Sequence, residues 1–209
     1  MNKLGSPLVA KTVGRLLRTY PSLAHWRTIL NSKQWAEQTN GIMAALELSY
    51  VFLPFHLQQC FSYSALFPED YPFRSRELIS LWIGLDILTP SDQNPTFEGI
   101  GLSILNELVI HGFFREEQTD GDRRYVMHDL LHDLALKVAS HDCLSLRLPN
   151  VASVEIQPTT RHLSISTENL DEYDAVSGEK LKSELEKLKT TLKVENLQTL
   201  MLFGATDEG

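Results

Sequence analysis

Cysteine is scarce in this chain. Its 209 residues hold two, Cys60 and Cys143, far apart and in no CxxC arrangement. That pattern excludes a disulfide framework and a zinc knuckle, and it points to a reducing compartment. No signal-peptide pattern follows Met1, because a helix signal begins within a few residues. Long apolar runs are lacking too. The best of them, LSILNELVIHGFF, is interrupted by Asn106, Glu107 and His111, so no segment is expected to enter a membrane. Also absent is any G-x-x-x-x-G-K-[ST], the loop whose backbone N–H groups and lysine cradle nucleotide phosphates. These absences predict a soluble, cytoplasmic chain without a phosphate cradle of its own.

What is present suits a globular protein. Hydrophobic residues make up 43% and charged ones 22%, enough for one or two small cores rather than a disordered tail. The net charge of −8 is unevenly spread. Residues 1–45 carry six Lys/Arg against Glu37 alone, whereas residues 46–140 carry six against fourteen acidic residues. The basic first segment is read chiefly as solvated helix faces.

Helix signals dominate the first two thirds. Ser6-Pro7 starts one helix, and Val9, Val13, Leu16, Leu17 and Tyr20 keep helical spacing up to Pro21. Ser22 restarts a second, and IMAALELSYVFL follows the Asn40-Gly41 turn. The segment after Pro54 has Leu57, Cys60, Phe61 and Ala65 as its buried stripe. FPEDYPF is a loop, RSRELISLWIGLDIL a helix ending near Gly84, and FEGIGLSILNELVIHGFF a helix with Ile104, Leu105, Leu108 and Val109 inward. FFREEQ and RRYVMH then flank TDGD, whose Asp-Gly marks a hairpin. Three helices followed by a hairpin predict a winged helix. Past residue 150, TTRHLSIS reads as a strand and EKLKSELEKLKTTL as a charged helix. Leu197, Leu200 and Leu202 form an L-x-x-L-x-L run, the strand part of a leucine-rich repeat. The expected fold is mainly α: a helical bundle over 1–45, a winged-helix domain over 46–140, then a linker and the start of leucine-rich repeats over 141–209.

The stretch MHDLLHD invites a metal reading, because HDLLH is similar to HExxH. The spacing argues otherwise. If RRYVMH is a strand, His128 ends it and Asp129 caps the following helix, with Leu131, Leu134, Ala135 and Val138 inward and His132 and Asp133 outside. A zinc hydrolase would also need a glutamate base and a third ligand. No metal and no catalytic group is expected.

In this order the pieces resemble the middle of plant intracellular immune receptors, the NB-ARC leucine-rich-repeat disease-resistance proteins. GSPLVAKTVGRLL is similar to the family's GLPLA stretch, with Ser6 and Val9 departing from it. LSYVFLPFHLQQCFSYSALFPEDYPF with LISLWIG is a long match, VMHDLLHDLA carries the MHD motif as Met127, His128 and Asp129, and RHLSI matches the lead-in to the repeats. The wording fits the coiled-coil class.

The resemblance implies a non-enzymatic regulatory module that works with ADP at rest and ATP when active. It implies that Pro7 lines the adenine pocket, that His128 reaches the ADP β-phosphate, and that Met127 and Asp129 hold that corner. The partners it implies are the receptor's own nucleotide-binding and repeat domains, and a pathogen effector or guarded host protein met through further repeats. Because the P-loop is missing, no tight nucleotide binding is expected of these residues alone, and a fragment or truncated product is expected. The alternative is a winged-helix DNA-binding protein. Against it, the helix that would enter the groove carries Glu98 and Glu107 and no Lys or Arg, leaving Arg123 and Arg124 of the wing as the cations in its favour.

Overall fold

The structure, a computed structural model, describes residues 41–90, 96–119, 121–148, 159–167 and 196–204, together with 14, 157 and 186. The two helices expected before residue 40 apart from Gly14, Pro7, and the charged helix over 179–192 apart from Glu186 lie outside the described residues. The described elements are α1 (Gly41–Val51), α2 (Phe55–Tyr63), a 3-10 turn (Ser64–Leu66), α3 (Ser75–Gly84), α4 (Phe97–His111), β1 (Arg115–Thr119), β2 (Asp122–Val126), α5 (Asp129–Ala139), β3 (Cys143–Leu148), β4 (His162–Thr167) and β5 (Thr199–Phe203). Among these residues the chain is mainly helical with a few short strands. No helix of theirs is long and apolar enough to cross a membrane. They divide into two compact units, one drawn from 41–64 and 69–135, the other from 65–68 and 136–204.

In the first unit each helix end has a local reason. Pro54 fixes the entry to α2, and its carbonyl accepts the N–H groups of Leu57 and Gln58. The Gln58 amide donates to the carbonyls of Val51 and Leu53, which the end of α1 leaves without helical partners. At the start of α3, Glu77 Oε2 accepts from the backbone N–H of Arg74 at 2.7 Å while Tyr71 donates its hydroxyl to Glu77 Oε1 at 3.2 Å. Thr96 caps α4 by accepting from Gly99 N, and Gly112 at φ 86° closes it. The end of α3 instead uses Asp86 at φ 55°, a left-handed position where glycine would be unstrained.

The core follows the apolar spacing. Leu57, Cys60, Phe61 and Ala65 are buried as the sequence predicts, and so are Ile104, Leu105 and Leu108; Val109 is half-buried. Trp82, fully buried, donates its indole N–H to the Cys60 carbonyl at 3.0 Å, which satisfies the one polar atom that its burial would otherwise strand. Burial pushes the Cys60 thiol up to about 12, so it packs as an apolar group. Phe113 and Phe114 extend the aromatic core, Phe113 edge-on to Phe61 at 4.7 Å and Phe114 edge-on to Phe73 at 5.4 Å. Helices α3 and α4 pack tightly at Gly101, where a Cβ would meet Ile79 Cγ1 at 2.5 Å.

Strands β1 and β2 form the antiparallel hairpin, with Thr119 opposite Asp122 around the Asp-Gly turn and Gly121 at φ 82°. The hairpin is shorter than the sequence suggests. β2 ends at Val126, because the chain turns at Met127, which is buried, and re-enters a helix at Asp129. Phe73 pairs with Tyr125 as a single antiparallel bridge beyond the hairpin.

In the second unit β3, β4 and β5 make a parallel sheet in that order, with Cys143 beside His162 and His162 beside Thr199. β3 is an addition to the sequence reading, which had a linker here. Its alternation of Leu144, Leu146 and Leu148 with Cys143, Ser145 and Arg147 was the available signal. β4 and β5 stand where strands were expected. Leucine face follows leucine face across the sheet, since Leu144 pairs with Leu163 and Leu163 with Leu200. Leu146, Leu163 and Ile165 are buried, but Leu200 and Leu202 on β5 are 52% and 71% exposed. The opposite face of β4 is polar and buried, carrying His162, Ser164 and Ser166, and Ser164 Oγ has no hydrogen-bond partner. Phe203 of β5 lies 5.4 Å from Phe67.

Two substitutions test this packing. Gly101→Ala should destabilise the first unit by about 1–3 kcal/mol, because the added methyl collides with a β-branched neighbour, and Ile79→Ala on top of it should recover part of the loss. Asp86→Gly should stabilise it by roughly 0.5–1 kcal/mol by relieving the left-handed backbone. Urea unfolding of each variant measures both, and equal stability of Gly101→Ala and the parent would refute the close approach.

Candidate functional site

The corner between β2 and α5 gathers three of the four residues singled out from the sequence. Met127 is buried and holds the chain to the core, whereas the side chains of His128 and Asp129 are 49% and 55% exposed. Pro7, the fourth, lies outside the described residues, so the structure does not bring it to His128.

The local chemistry departs from the expected cap. Asp129 is the first helical residue, which makes His128 rather than Asp129 the residue preceding the helix. The His128 carbonyl accepts from Leu131 N at 2.8 Å and from His132 N at 3.0 Å, as a residue in that position does. Asp129 Oδ1 accepts from Leu130 N at 2.6 Å, and His128 Nδ1 lies 3.3 Å from the same N–H. The two side chains also touch, Nδ1 of His128 against Oδ1 of Asp129. Nδ1 thus faces both the Leu130 N–H and the Asp129 carboxylate, which leaves Nε2 as the other ring nitrogen. The cap is thus shared by two adjacent side chains on one free N–H.

The helix that follows corrects a second expectation. Leu131, Leu134 and Ala135 are buried and Asp133 is exposed, as read from the sequence, but His132 is buried rather than outside. The inward arc of α5 is wide enough to take His132 beside Leu131. His128 and His132 therefore occupy unlike surroundings, one half in solvent and one in the core. Among the described residues no group of three His, Cys, Asp or Glu side chains converges as a metal site would require.

The wing is held by ion pairs that sequence reasoning missed. Asp122 lies 3.1 Å from Arg124 Nη2 and 3.5 Å from Arg74 Nε, linking the hairpin to the start of α3. Arg123 Nε pairs with Glu116 Oε1 at 3.0 Å across the strands, and the register that places residue 116 opposite 125 and 118 opposite 123 follows from the turn. The signal was present as charges of opposite sign on two short strands, legible only once the register is known. The wing cations that would favour DNA are thus paired within the protein. The outward side of α4 presents Leu102, Asn106 and Ile110, all exposed and none a cation. Nothing in this geometry favours phosphate-backbone contact.

Comparison with known proteins points to one family. Residues 66–135 match the disease resistance protein winged helix domain. The chain carries that domain and is similar over most of its length to plant disease resistance proteins. It is 39% identical over 152 residues to RGA4 of Solanum bulbocastanum, 37% over 164 residues to RGA2 of the same plant, and 30% over 171 residues to RPP13-like protein 1 of Arabidopsis thaliana. All three bear disease resistance in their names. The matches cover 70%, 77% and 80% of this chain but 15%, 16% and 16% of the relatives. The chain therefore spans about a sixth of the length of the relatives it matches. The winged helix domain of this family is the unit built by α3, α4, the β1–β2 wing and the opening of α5.

Because both side chains of the corner serve one N–H, neither single loss should be severe. Asp129→Ala should cost about 1 kcal/mol and His128→Ala less, while the double variant should lose more than the two added together, since each acceptor covers for the other. Thermal unfolding of the four proteins gives the coupling. Strict additivity would show that the cap is not shared.

Proposed function

We propose that this chain is a regulatory, non-catalytic part of a nucleotide-switched intracellular immune receptor acting in plant defence. The observation that carries the reading is the His128 corner: an exposed imidazole held by a capped helix at the end of the wing, in a domain whose relatives are named for disease resistance. In this reading the complete receptor works in the cytoplasm and holds ADP at rest and ATP when active. His128 senses which nucleotide is bound, and Pro7 lines the adenine side.

The chemistry is simple. With Nδ1 accepting from the Leu130 N–H, Nε2 carries the ring's N–H and can donate it to a phosphate oxygen. The winged helix domain would dock through that bond in the ADP form and swing away without it, a rigid-body change. A second element of the reading concerns the parallel sheet. Its in-line leucine faces support a role for β3 to β5 as the opening of a leucine-rich-repeat array, continued by further strands along β5, through which an effector or guarded host protein is met.

Calorimetric titration tests the switch. With ADP, the 209 residues alone should show little binding, since no phosphate-cradling loop is among them. Joined behind the complete nucleotide-binding domain of a relative, the chain should support ADP binding. His128→Ala should then weaken ADP about tenfold, the loss of one charge-assisted hydrogen bond. Tight binding by the isolated chain, or a joined protein indifferent to His128→Ala, would overturn the sensing role.

A further inference from the structure

One edge of the second unit's sheet carries no charge. Sheet edges usually hold charged residues or proline, which keep other strands from adding to them. Among the described strands, Arg115 and Glu117 supply charge on β1, Arg123 on β2 and Arg147 on β3. β5 reads Thr-Leu-Met-Leu-Phe, without charge or proline, and among the described strands it pairs with β4 alone. Its Leu200 and Leu202 are exposed. We propose that this edge is the seat of a second copy of the chain, with β5 antiparallel to β5 about a two-fold axis at Met201.

The backbone sets the register. Thr199 N donates to the Arg161 carbonyl at 3.2 Å, and Thr199 lies beside His162. Bonding sides alternate along a strand, so Thr199, Met201 and Phe203 turn their N–H and C=O groups toward β4. Those of Leu200 and Leu202 face the open edge. An antiparallel neighbour bonds through opposed residues that exchange both hydrogen bonds. With the axis at Met201, all five strand residues are paired, and Leu200 stands opposite Leu202 of the other copy. Both members of that pair have outward groups to exchange. An axis at Leu200 would instead set Leu202 against Gln198, whose N–H already goes to the Arg161 carbonyl.

The side chains agree with that register. Leu200 and Leu202 share one face of β5 and continue the row that Leu163 and Ile165 bury on β4. Across the axis each leucine meets the other directly, at the separation where cross-strand side chains pack. The edge is thus complementary to itself in hydrogen bonds and in leucines, which is what a two-fold contact requires. Adding β3 of another copy to β5 would also extend the sheet. That contact is head-to-tail, brings a charged strand to an apolar one, and grows without closing.

The contact is small, a five-residue strand from each copy, so association is weak and follows concentration. It is independent of the switch proposed for His128. A further repeat along β5 would compete for the same edge.

Analytical ultracentrifugation of the 209-residue chain reads the association. The average mass should rise from 23.7 kDa toward twice that value between about 5 and about 300 μM, the range of a weak contact. Leu202→Lys puts a charge on the open edge at an exposed position and should hold the protein at the monomer mass. Cysteine variants read the register. Met201→Cys stands opposite its own counterpart with Cα atoms about 4.5 Å apart, within disulfide reach, so mild oxidation should yield a covalent dimer. Thr199→Cys lies about 14 Å from its counterpart and should not cross-link. The two native cysteines are buried, and the parent gives their background. A parent that stays monomeric throughout, a mass that grows past the dimer, parent-like association of Leu202→Lys, or equal cross-linking of the two cysteine variants would each overturn the two-fold pairing.

Discussion

The candidate site depends on a pair of backbone hydrogen bonds. Phe73 N donates to the Tyr125 carbonyl at 2.8 Å, and Tyr125 N donates to the Phe73 carbonyl at 2.9 Å. Those two bonds tie the loop before α3 to the last full turn of strand before the His128 corner. Buried Phe73 and Tyr125 keep water from competing for them, and the edge-on contact with Phe114 brings in the end of α4. Two residues later Met127 buries its side chain, and the next residue is His128. The position of the imidazole is thus set by core packing a few residues upstream together with its own contacts to Leu130 N and Asp129.

The wing's charges work to the same end. Asp122 lies between Arg124 on its own strand and Arg74 at the start of α3, so the hairpin is held to the helix that Glu77 caps. These pairs are part-exposed, and each contributes little to stability. Their consequence is geometric and electrostatic: they orient the hairpin and neutralise the cations that a DNA-binding wing would present. One arrangement thus holds the wing to the start of α3 and pairs its arginines within the protein.

The second unit uses a different logic. A parallel strand buried on both faces usually reads as a continuous apolar run. β4 instead has leucine and isoleucine on one face and His162, Ser164 and Ser166 on the other. A buried hydroxyl without a partner and a buried imidazole both cost free energy. The strand keeps its place because the leucine face and the Asp142–Arg161 clasp offset that cost, and the balance is finest at β5, where the leucine face lies open.

Much of this protein was legible in residue order. Apolar positions three and four apart located α2 to α5 and most of their buried faces, because side chains so spaced share one side of a helix. Asp120-Gly121 located the hairpin, since few other dipeptides tolerate its turn, and the motif residues Met127 to Asp129 located the corner and the family. What the tertiary structure decided lay where spacing is silent. The burial of His132 followed from how wide an arc of α5 meets the core, and the shared cap followed from where β2 stops. The pairing of Arg123 and Arg124 required the strand register, and β3 emerged as a strand only because β4 lies beside it. A residue's periodicity is a property of its own segment, whereas its partner, its burial and its charge state belong to the neighbours that folding brings to it.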